Sequence, residues 1–177
     1  IPIHTPTPLN YETEQTATVL DPEQKIKAFQ SEQNEHYTNK KTSPLTRKER
    51  RKFTSHEFYS IDLSYIVQAK FTKIIEEDTV ELLSSSGNIK YYRPYATLNF
   101  KIGGVDCELT AFQSMRLREI EEYKNYLLLP FRDATSGSDS YGGGRYLDIE
   151  IPNSNSITLN FNFNKTKNQF LLIIKMI

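Results

Sequence analysis

The side chains best suited to chemistry lie in a loop rich in glycine and serine. The stretch from Leu127 to Asp148 reads LLLPFRDATSGSDSYGGGRYLD and holds four of the seven glycines in the chain. A linker of this composition is ordinarily solvated and tolerates changes in its residues. This stretch also contains side chains that can bind ions or exchange protons, namely Arg132, Asp133, Thr135, Tyr141, Arg145, Tyr146 and Asp148. A functional site is therefore expected here first.

The run of Gly142, Gly143 and Gly144 favours a site for an anion. Glycine permits positive φ angles and leaves backbone N–H groups uncovered, so such a nest can hold an anion or a developing oxyanion. Arg145 would supply the countercharge. The motif is not a P-loop, because it lacks the lysine followed by serine or threonine, and a predicted strand follows where a dinucleotide fingerprint requires a helix. A bulge or a crowded strand crossing would also explain these glycines, and the sequence leaves both interpretations open.

Two arginines and two aspartates flank this run. Arg132 and Asp133 are adjacent, so on an extended chain they point to opposite sides and do not pair with each other. Leaving one buried and unpaired would cost ~3–5 kcal/mol. We therefore expect partners from the far side of the loop, either Asp133 with Arg145 or Arg132 with Asp148. Such pairs would also serve simply to attach the loop to the sheet.

These residues support several functional hypotheses. The preferred one is binding of a small polar or anionic ligand, since the arginine and aspartate pairs can satisfy each other without a substrate. Its binding residues are Arg132, Thr135, Gly142, Gly143, Gly144, Arg145 and Tyr146. The alternatives are a hydrolase-like enzyme and a structural envelope domain whose loop network only stabilises the fold. In the enzyme, Asp133 or Asp148 is the general base and Tyr141 stabilises charge. A surface for stacking a sugar or base on Tyr91, Tyr92 and Tyr95 is a further option.

Other site chemistries receive little support from the sequence. His4, His36 and His56 have no metal-ligand spacing, so neither a metal nor any other cofactor is expected. Cys107 shares one strand face with Val105 and Leu109, which indicates a buried small side chain rather than a catalytic thiol. Twenty-two basic residues balance 22 acidic ones, which argues against a nucleic-acid-binding protein. The sequence contains no run of 18 apolar residues, so no membrane span is predicted.

The periodicity of the chain predicts a mainly β fold with helices only at its N-terminal end. Residues 1–20 are polar and proline-rich and indicate a disordered or linker-like arm, and residues 21–177 are expected to form one globular domain. Asp21-Pro22 and Thr46 are typical helix starts. Gly103-Gly104 is typical of a two-residue hairpin turn, and Pro94 indicates an edge or a bulge in its strand. Strands are expected near 57–63, 65–75, 79–84, 88–102, 105–114, 125–131, 144–151 and 156–164. Together they predict a strongly curved antiparallel sheet or a small up-and-down barrel, preceded by one or two short helices.

The segment LLLPFRDATSGSDSYGGGRYLDIE resembles the signature of a bacterial family catalogued as domain of unknown function 1684. The segments KTSPLTRKERRKF, YYRPYATLNFKIGGVDCELTAF and FQSMRLREIEEYKNYLLLPF are similar to further parts of that family. The resemblance covers roughly residues 21–162. The polar residues and glycines shared with the family correspond here to Arg132, Asp133, Thr135, Tyr141, Gly142, Gly144, Arg145, Tyr146 and Asp148.

The resemblance implies a single compact domain for which no activity is established. It also implies a protein that is exported or attached to the envelope, for example by a lipid on a removed signal, rather than cytoplasmic. The C-terminal end departs from the family. Family members continue after the equivalent of LNFN with an Asn-Pro motif and a tail containing cysteine and proline, whereas this chain continues as FNKTKNQFLLIIKMI.

Overall fold

The computed structural model describes residues 21–75, 78–83, 88–134, 136–138 and 144–164, and the expected N-terminal arm at 1–20 lies outside them. Two helices come first, α1 (Pro22–Thr38) and α2 (Arg47–Lys52). The strands are β1 (Ile66–Lys73), β2 (Val80–Leu83), β3 (Ile89–Ile102), β4 (Val105–Ser114), β5 (Tyr126–Phe131), β6 (Arg145–Glu150) and β7 (Ser156–Asn160). Short 3₁₀ turns span Leu63–Tyr65, Leu117–Glu119, Glu121–Tyr123 and Phe161–Asn164. The last of these is called the Phe161 turn below.

All strands belong to one antiparallel sheet in the order β6-β5-β4-β3-β1-β7. The long strand β3 pairs with β1 along one part and with β2 along another, so β1 and β2 share the same edge of β3. The sheet curls into a half-barrel. Its edge strands β6 and β7 are not hydrogen-bonded neighbours in this sheet. The predicted fold class, a strongly curved antiparallel sheet preceded by helices, is confirmed in this half-barrel form.

Side-chain alternation gives the sheet two packed faces. The inner face carries the main core, whose most buried large side chains on the strands are Leu98, Leu127, Leu129 and Leu159. Burying each such side chain stabilises the fold by roughly 1.5–3 kcal/mol. The outer face carries a second, smaller apolar cluster of Leu82, Tyr92, Phe112 and Leu128, with Val80 and Tyr146 packed against it. Consecutive residues of β5 and β6 therefore reach two different environments.

The Phe161 turn covers the open side of the half-barrel between β7 and β6. The ring of Phe161 lies 5.6 Å from that of Phe100 and 5.1 Å from that of Phe131. Phe163 contacts Phe29 of α1 at a centroid distance of 5.0 Å, which attaches the helix to the turn. The buried Asn162 fixes the turn, because its side chain accepts from the backbone N–H of Asp62 and donates to the backbone carbonyl of the same residue.

Several local predictions are confirmed. Asp21 and Thr46 begin α1 and α2, and each forms the reciprocal capping box with the residue three positions later. Gly103 and Gly104 form the two-residue turn between β3 and β4, both with positive φ. The register of β3 against β4 shifts between Pro94 and Ala96, so of the two expectations for Pro94, an edge or a bulge, the bulge is confirmed.

The strand expected at 57–63 is wrong. Residues 59–62 form no strand, and Phe58 makes only an isolated bridge. The carboxylate of Asp62 instead accepts from the backbone N–H and hydroxyl of Ser64 and begins a 3₁₀ turn, while the backbone of Asp62 bonds Asn162. The last predicted strand, 156–164, ends at Asn160, because the Phe161 turn replaces its second half.

Candidate functional site

The loop rich in glycine and serine connects β5 to β6, which pair from Tyr126 opposite Glu150 to Phe131 opposite Arg145. Gly144 stands directly before β6 with φ +98°. A Cβ at this position would lie 2.7 Å from the carbonyl oxygen of Phe131 and 2.9 Å from Cγ of Arg132. At Gly144, therefore, the requirement for glycine comes from a close approach of the two ends of the loop.

Arg145 is the buried cation of the site. Its side chain is only 5% exposed and forms an ion pair with the carboxylate of Asp133, which is 40% exposed. The predicted pairing of Asp133 with Arg145 is thus confirmed. The guanidinium carbon lies 5.1 Å from the centre of the Phe131 ring, so one side of the ion pair is apolar. The pair sits at the end of the inner face next to the Phe161 turn.

Local hydrogen bonds fix the position of Asp133. Its backbone N–H donates to the hydroxyl of Ser136 at 3.2 Å, and the backbone N–H of Ser136 donates back to the carbonyl of Asp133 at 3.0 Å. These bonds tie Asp133 to Ser136, and the ion pair ties Asp133 to Arg145 of β6. The carboxylate therefore reaches Arg145 from a residue beyond the end of β5 rather than from the sheet itself.

Asp148 belongs to the opposite face of β6. It lies three positions after Arg145, so strand alternation directs the two side chains to different sides of the sheet. The carboxylate of Asp148 accepts a hydrogen bond of 2.6 Å from the phenol of Tyr126 on β5. Tyr146 lies on this outer face too and packs against the cluster that contains Tyr92 and Leu128. The polar residues of the loop motif are therefore divided between two environments.

The tyrosines around Asp148 are held in their neutral form. Burial raises the pKa of Tyr92, Tyr126 and Tyr146 above its ordinary value, and the negative charge of Asp148 raises each of them further. For Tyr126 the hydrogen bond to Asp148 adds to this effect. A neutral phenol donates to a carboxylate, as Tyr126 does to Asp148, while Tyr92 and Tyr146 lie close enough for the charge of Asp148 to affect their pKa.

Other predicted site residues are distributed as follows. Arg132 is exposed at the start of the loop, next to Asp133. The remaining ones, Thr135, Tyr141, Gly142 and Gly143, lie outside the described residues. The binding and catalytic roles assigned to all these positions stay predictions.

Sequence reasoning missed Tyr126 and its bond to Asp148. The register supplies the signal that could have found it. Asp148 stands opposite Leu128, so Tyr126, two residues away on the same face of β5, is its diagonal neighbour. Tyr126 and Asp148 are 22 positions apart in the sequence, so the contact can be predicted only once the pairing of β5 with β6 is known.

The histidine and cysteine residues that were considered for a metal site or for catalysis lie elsewhere in the fold. Within the described ranges, no three histidine, cysteine, aspartate or glutamate side chains are grouped to hold a metal ion. His56 packs among the rings of Tyr37, Phe53 and Phe58, and burial lowers its pKa. Cys107 is half-buried and packs against the main core.

The three tyrosines of β3 do not form one stacking surface. Tyr91 is 51% exposed, Tyr92 packs in the outer cluster and Tyr95 lies in the main core at the bulge. Of the helices in the described part of the chain, none has the length and apolar character needed to cross a membrane.

Comparison with known proteins identifies the family of the chain. A similar fold occurs in an uncharacterised protein from Haloarcula marismortui solved by NMR in solution, with 27% sequence identity, a TM-score of 0.61 and 86% of each chain covered. No curated protein matches the chain. The family described as "Protein of unknown function (DUF1684)" matches residues 51–170, which is more than half of the chain and includes both faces of β6. The chain therefore belongs to the DUF1684 family, as the loop motif had indicated.

Proposed function

We propose that this protein binds a small anionic or polar ligand at the β5–β6 loop and that Arg145 is the residue that holds the negative charge. The observation that carries the proposal is the unequal burial of one ion pair. The guanidinium of Arg145 is 5% exposed, whereas the carboxylate of Asp133 is 40% exposed and lies on the loop. A buried cation needs a negative partner at all times, but that partner need not be Asp133.

The chemistry of Arg145 determines the class of ligand. A guanidinium presents paired N–H donors that fit a carboxylate or a phosphate in a bidentate manner. The Phe131 ring covers part of the guanidinium and keeps the pair in apolar surroundings, where charge–charge attraction is stronger than in water. A ligand carboxylate or phosphate would take the place of the Asp133 carboxylate when the loop moves.

Further loop residues complete the proposed site. In this proposal Arg132 would add a second positive charge beside Asp133, and Thr135 would add a hydroxyl as hydrogen-bond donor. Backbone N–H groups of Gly142, Gly143 and Gly144 would surround the anion. Tyr146 takes no part in this site, because alternation along β6 directs it to the outer face.

The hydrolase alternative requires more of the same loop. It needs a general base beside the anion-binding arginine, and Asp148 lies on the other face of β6 from Arg145. Asp133, the other candidate base, is held by Arg145. A carboxylate already engaged by Arg145 is not positioned to take a proton from an attacking water, so the arrangement favours binding over hydrolysis.

The experiment replaces Asp133 by asparagine and asks whether an added anion repairs the damage. Asp133→Asn leaves the buried Arg145 without its carboxylate and should lower the free energy of unfolding by roughly 2–3 kcal/mol, less than for a fully buried pair because Asp133 is partly solvated. Inorganic phosphate or acetate should then raise the melting temperature of this variant more than that of the unchanged protein.

The matched control is Asp106→Asn, which breaks an exposed ion pair with Lys101. Anions should give this variant no extra stabilisation, because both partners are solvated. If phosphate and acetate stabilise Asp133→Asn no more than Asp106→Asn, the Asp133–Arg145 pair serves the fold alone and the ligand-binding proposal is rejected.

A further inference from the structure

The turn after α1 and the helix α2 carry an excess of positive charge. Residues 40–52, called the basic segment below, read KKTSPLTRKERRK and contain seven lysines and arginines but only one acid, Glu49. The net charge of this segment is +6, and because the whole chain has a net charge of +0, the rest of the chain carries −6. The balanced composition of the chain therefore conceals a one-sided distribution of charge.

Contacts with the last turns of α1 hold the basic segment in one compact corner. The hydroxyl of Ser43 donates to the carbonyl of Tyr37 at 2.6 Å, which folds the turn back onto the helix. Beyond α2, the ring of Phe53 lies 5.5 Å from that of Tyr37. The backbone N–H of His56 donates to the side-chain oxygen of Asn34 at 2.8 Å. Contacts within the segment and directly after it thus lead to the same stretch of α1, so the cations are confined to one region of the surface.

The cations of the basic segment are not neutralised by any residue that the structure describes. Six of the seven are exposed, and the seventh, Arg50, is half-buried. Glu49 is used in capping α2, where its carboxylate accepts from the backbone N–H and the hydroxyl of Thr46. The ion pairs between described residues use other cations. Like charges three or four positions apart on a helix repel each other, so this arrangement favours a negative partner from outside the chain.

We propose that the basic segment is a docking surface for a membrane that contains anionic phospholipids. A helix turns by about 100° per residue, so the cations of α2 cover roughly 200° of its circumference and Glu49 lies opposite them. Such a broad face fits a flat surface of many mobile negative headgroups. The helix contains no apolar residue, so the attraction is electrostatic and requires no insertion into the lipid. Each lysine or arginine near such a surface strengthens binding about fivefold.

A nucleic acid also offers a dense negative charge, but the basic segment fits it less well. Proteins hold single strands on aromatic side chains against which the bases stack, and residues 40–52 contain no aromatic residue. A helix that reads duplex DNA enters the major groove, whereas α2 has only six residues and its cations are spread around it. A lipid surface requires neither feature.

The test is sedimentation of the full chain with vesicles of phosphatidylcholine alone and of an equimolar mixture of phosphatidylcholine and phosphatidylglycerol. The protein should bind only the anionic vesicles. Raising NaCl from about 0.1 M to about 0.5 M should release it, because the screening length falls well below ~10 Å. Equal binding to both kinds of vesicle, binding to neither, or binding that persists at the higher salt concentration would overturn the proposal. Binding of a duplex DNA oligonucleotide without binding of anionic vesicles would assign the segment to nucleic acid and reject the membrane.

A triple variant tests the position of the charges. Lys48→Gln, Arg51→Gln and Lys52→Gln together should weaken binding to the anionic vesicles roughly 100-fold, at about fivefold for each lost cation. The three side chains are exposed and take no part in the cap of α2, so the melting temperature should stay close to that of the unchanged protein. Undiminished vesicle binding by this variant would reject the proposal.

The matched control removes three exposed lysines outside the basic segment, by Lys25→Gln, Lys70→Gln and Lys101→Gln. It changes the net charge of the protein by the same amount and should weaken vesicle binding less than about fivefold. Equal losses for the two triple variants would show that net charge alone controls binding, and the docking surface would be rejected. Asp133→Asn, which tests the anion site at Arg145, should leave vesicle binding unchanged, so the two proposals can fail separately.

Discussion

At the scale of single residues, the loop motif is divided by the geometry of one short strand. The identities of Arg145 and Asp148 are visible in the sequence, and the pairing of Asp133 with Arg145, which the structure contains, is one of the two pairings that the sequence left open. Their division between two faces follows from alternation along β6. The donor to Asp148 could not be predicted, because Tyr126 reaches it across strands whose register is set by the whole sheet.

Gly144 gives a prediction at this scale. Gly144→Ala should destabilise the protein by about 3 kcal/mol or more, because the new methyl group would lie 2.7 Å from the carbonyl oxygen of Phe131 and because φ +98° is unfavourable for alanine. Chemical denaturation measures the change. Gly103→Ala is the control: its φ is +55° and no atom lies within 4 Å of the added Cβ. Its cost should be only about 1–2 kcal/mol. Equal costs for the two variants would contradict the close approach described at Gly144.

At the scale of elements, the predictions that succeeded rest on residues that act locally. The capping residues Asp21 and Thr46 start their helices through hydrogen bonds to residues three positions later. Gly103-Gly104 determines a two-residue hairpin turn because both glycines can adopt positive φ angles. The strand predicted at 57–63 and the second half of the strand predicted at 156–164 failed for a non-local reason. Asn162 bonds the backbone of Asp62 a hundred residues away in sequence, and this contact draws both segments out of the sheet pattern.

The Phe161 turn has a measurable role as the element that covers the open side of the half-barrel. Phe161 is 7% exposed and contacts the rings of Phe100 and Phe131, so Phe161→Ala should lower the free energy of unfolding by about 3–5 kcal/mol. Ile75→Ala is the comparison, because Ile75 is 93% exposed and its loss should change stability by less than about 0.5 kcal/mol. Denaturant unfolding of both variants checks the result. A loss below about 1 kcal/mol for Phe161→Ala would show that the turn does not complete the core.

At the scale of the whole molecule, four tyrosines connect the outer face of the sheet to the helices. Burial is the first cause that raises the pKa of Tyr37, Tyr92, Tyr126 and Tyr146. Tyr37, near the end of α1, contributes to the raised pKa of Tyr146, so the helix lies close to this face. Titration of these phenols therefore links the stability of the complete fold to alkaline pH.

The direction of that dependence follows from proton binding in the two states. Below pH ~10 the tyrosines are protonated in both the folded and the unfolded chain, so their contribution to stability is complete. Above it the unfolded chain releases protons while the folded chain keeps them. The free energy of unfolding should then fall with rising pH, by about 1.4 kcal/mol per pH unit for each such tyrosine, until the pH passes its folded-state pKa.

Tyr126→Phe isolates the contribution of the phenol bound to Asp148. At pH 7 this variant should be less stable by about 1.5–3 kcal/mol, because a hydrogen bond to a charged carboxylate is lost. Between pH 10 and pH ~11.5, however, its stability should fall less steeply than that of the unchanged protein, since one group no longer ionises on unfolding. Urea unfolding at a series of pH values measures both effects. Ile75→Ala, which changes an exposed side chain that has no ionisable group, should leave the slope as it was. Identical alkaline slopes for Tyr126→Phe and the unchanged protein would mean that the phenol of Tyr126 ionises equally in the folded and unfolded chains, and burial beside Asp148 would then not hold this tyrosine in its neutral form.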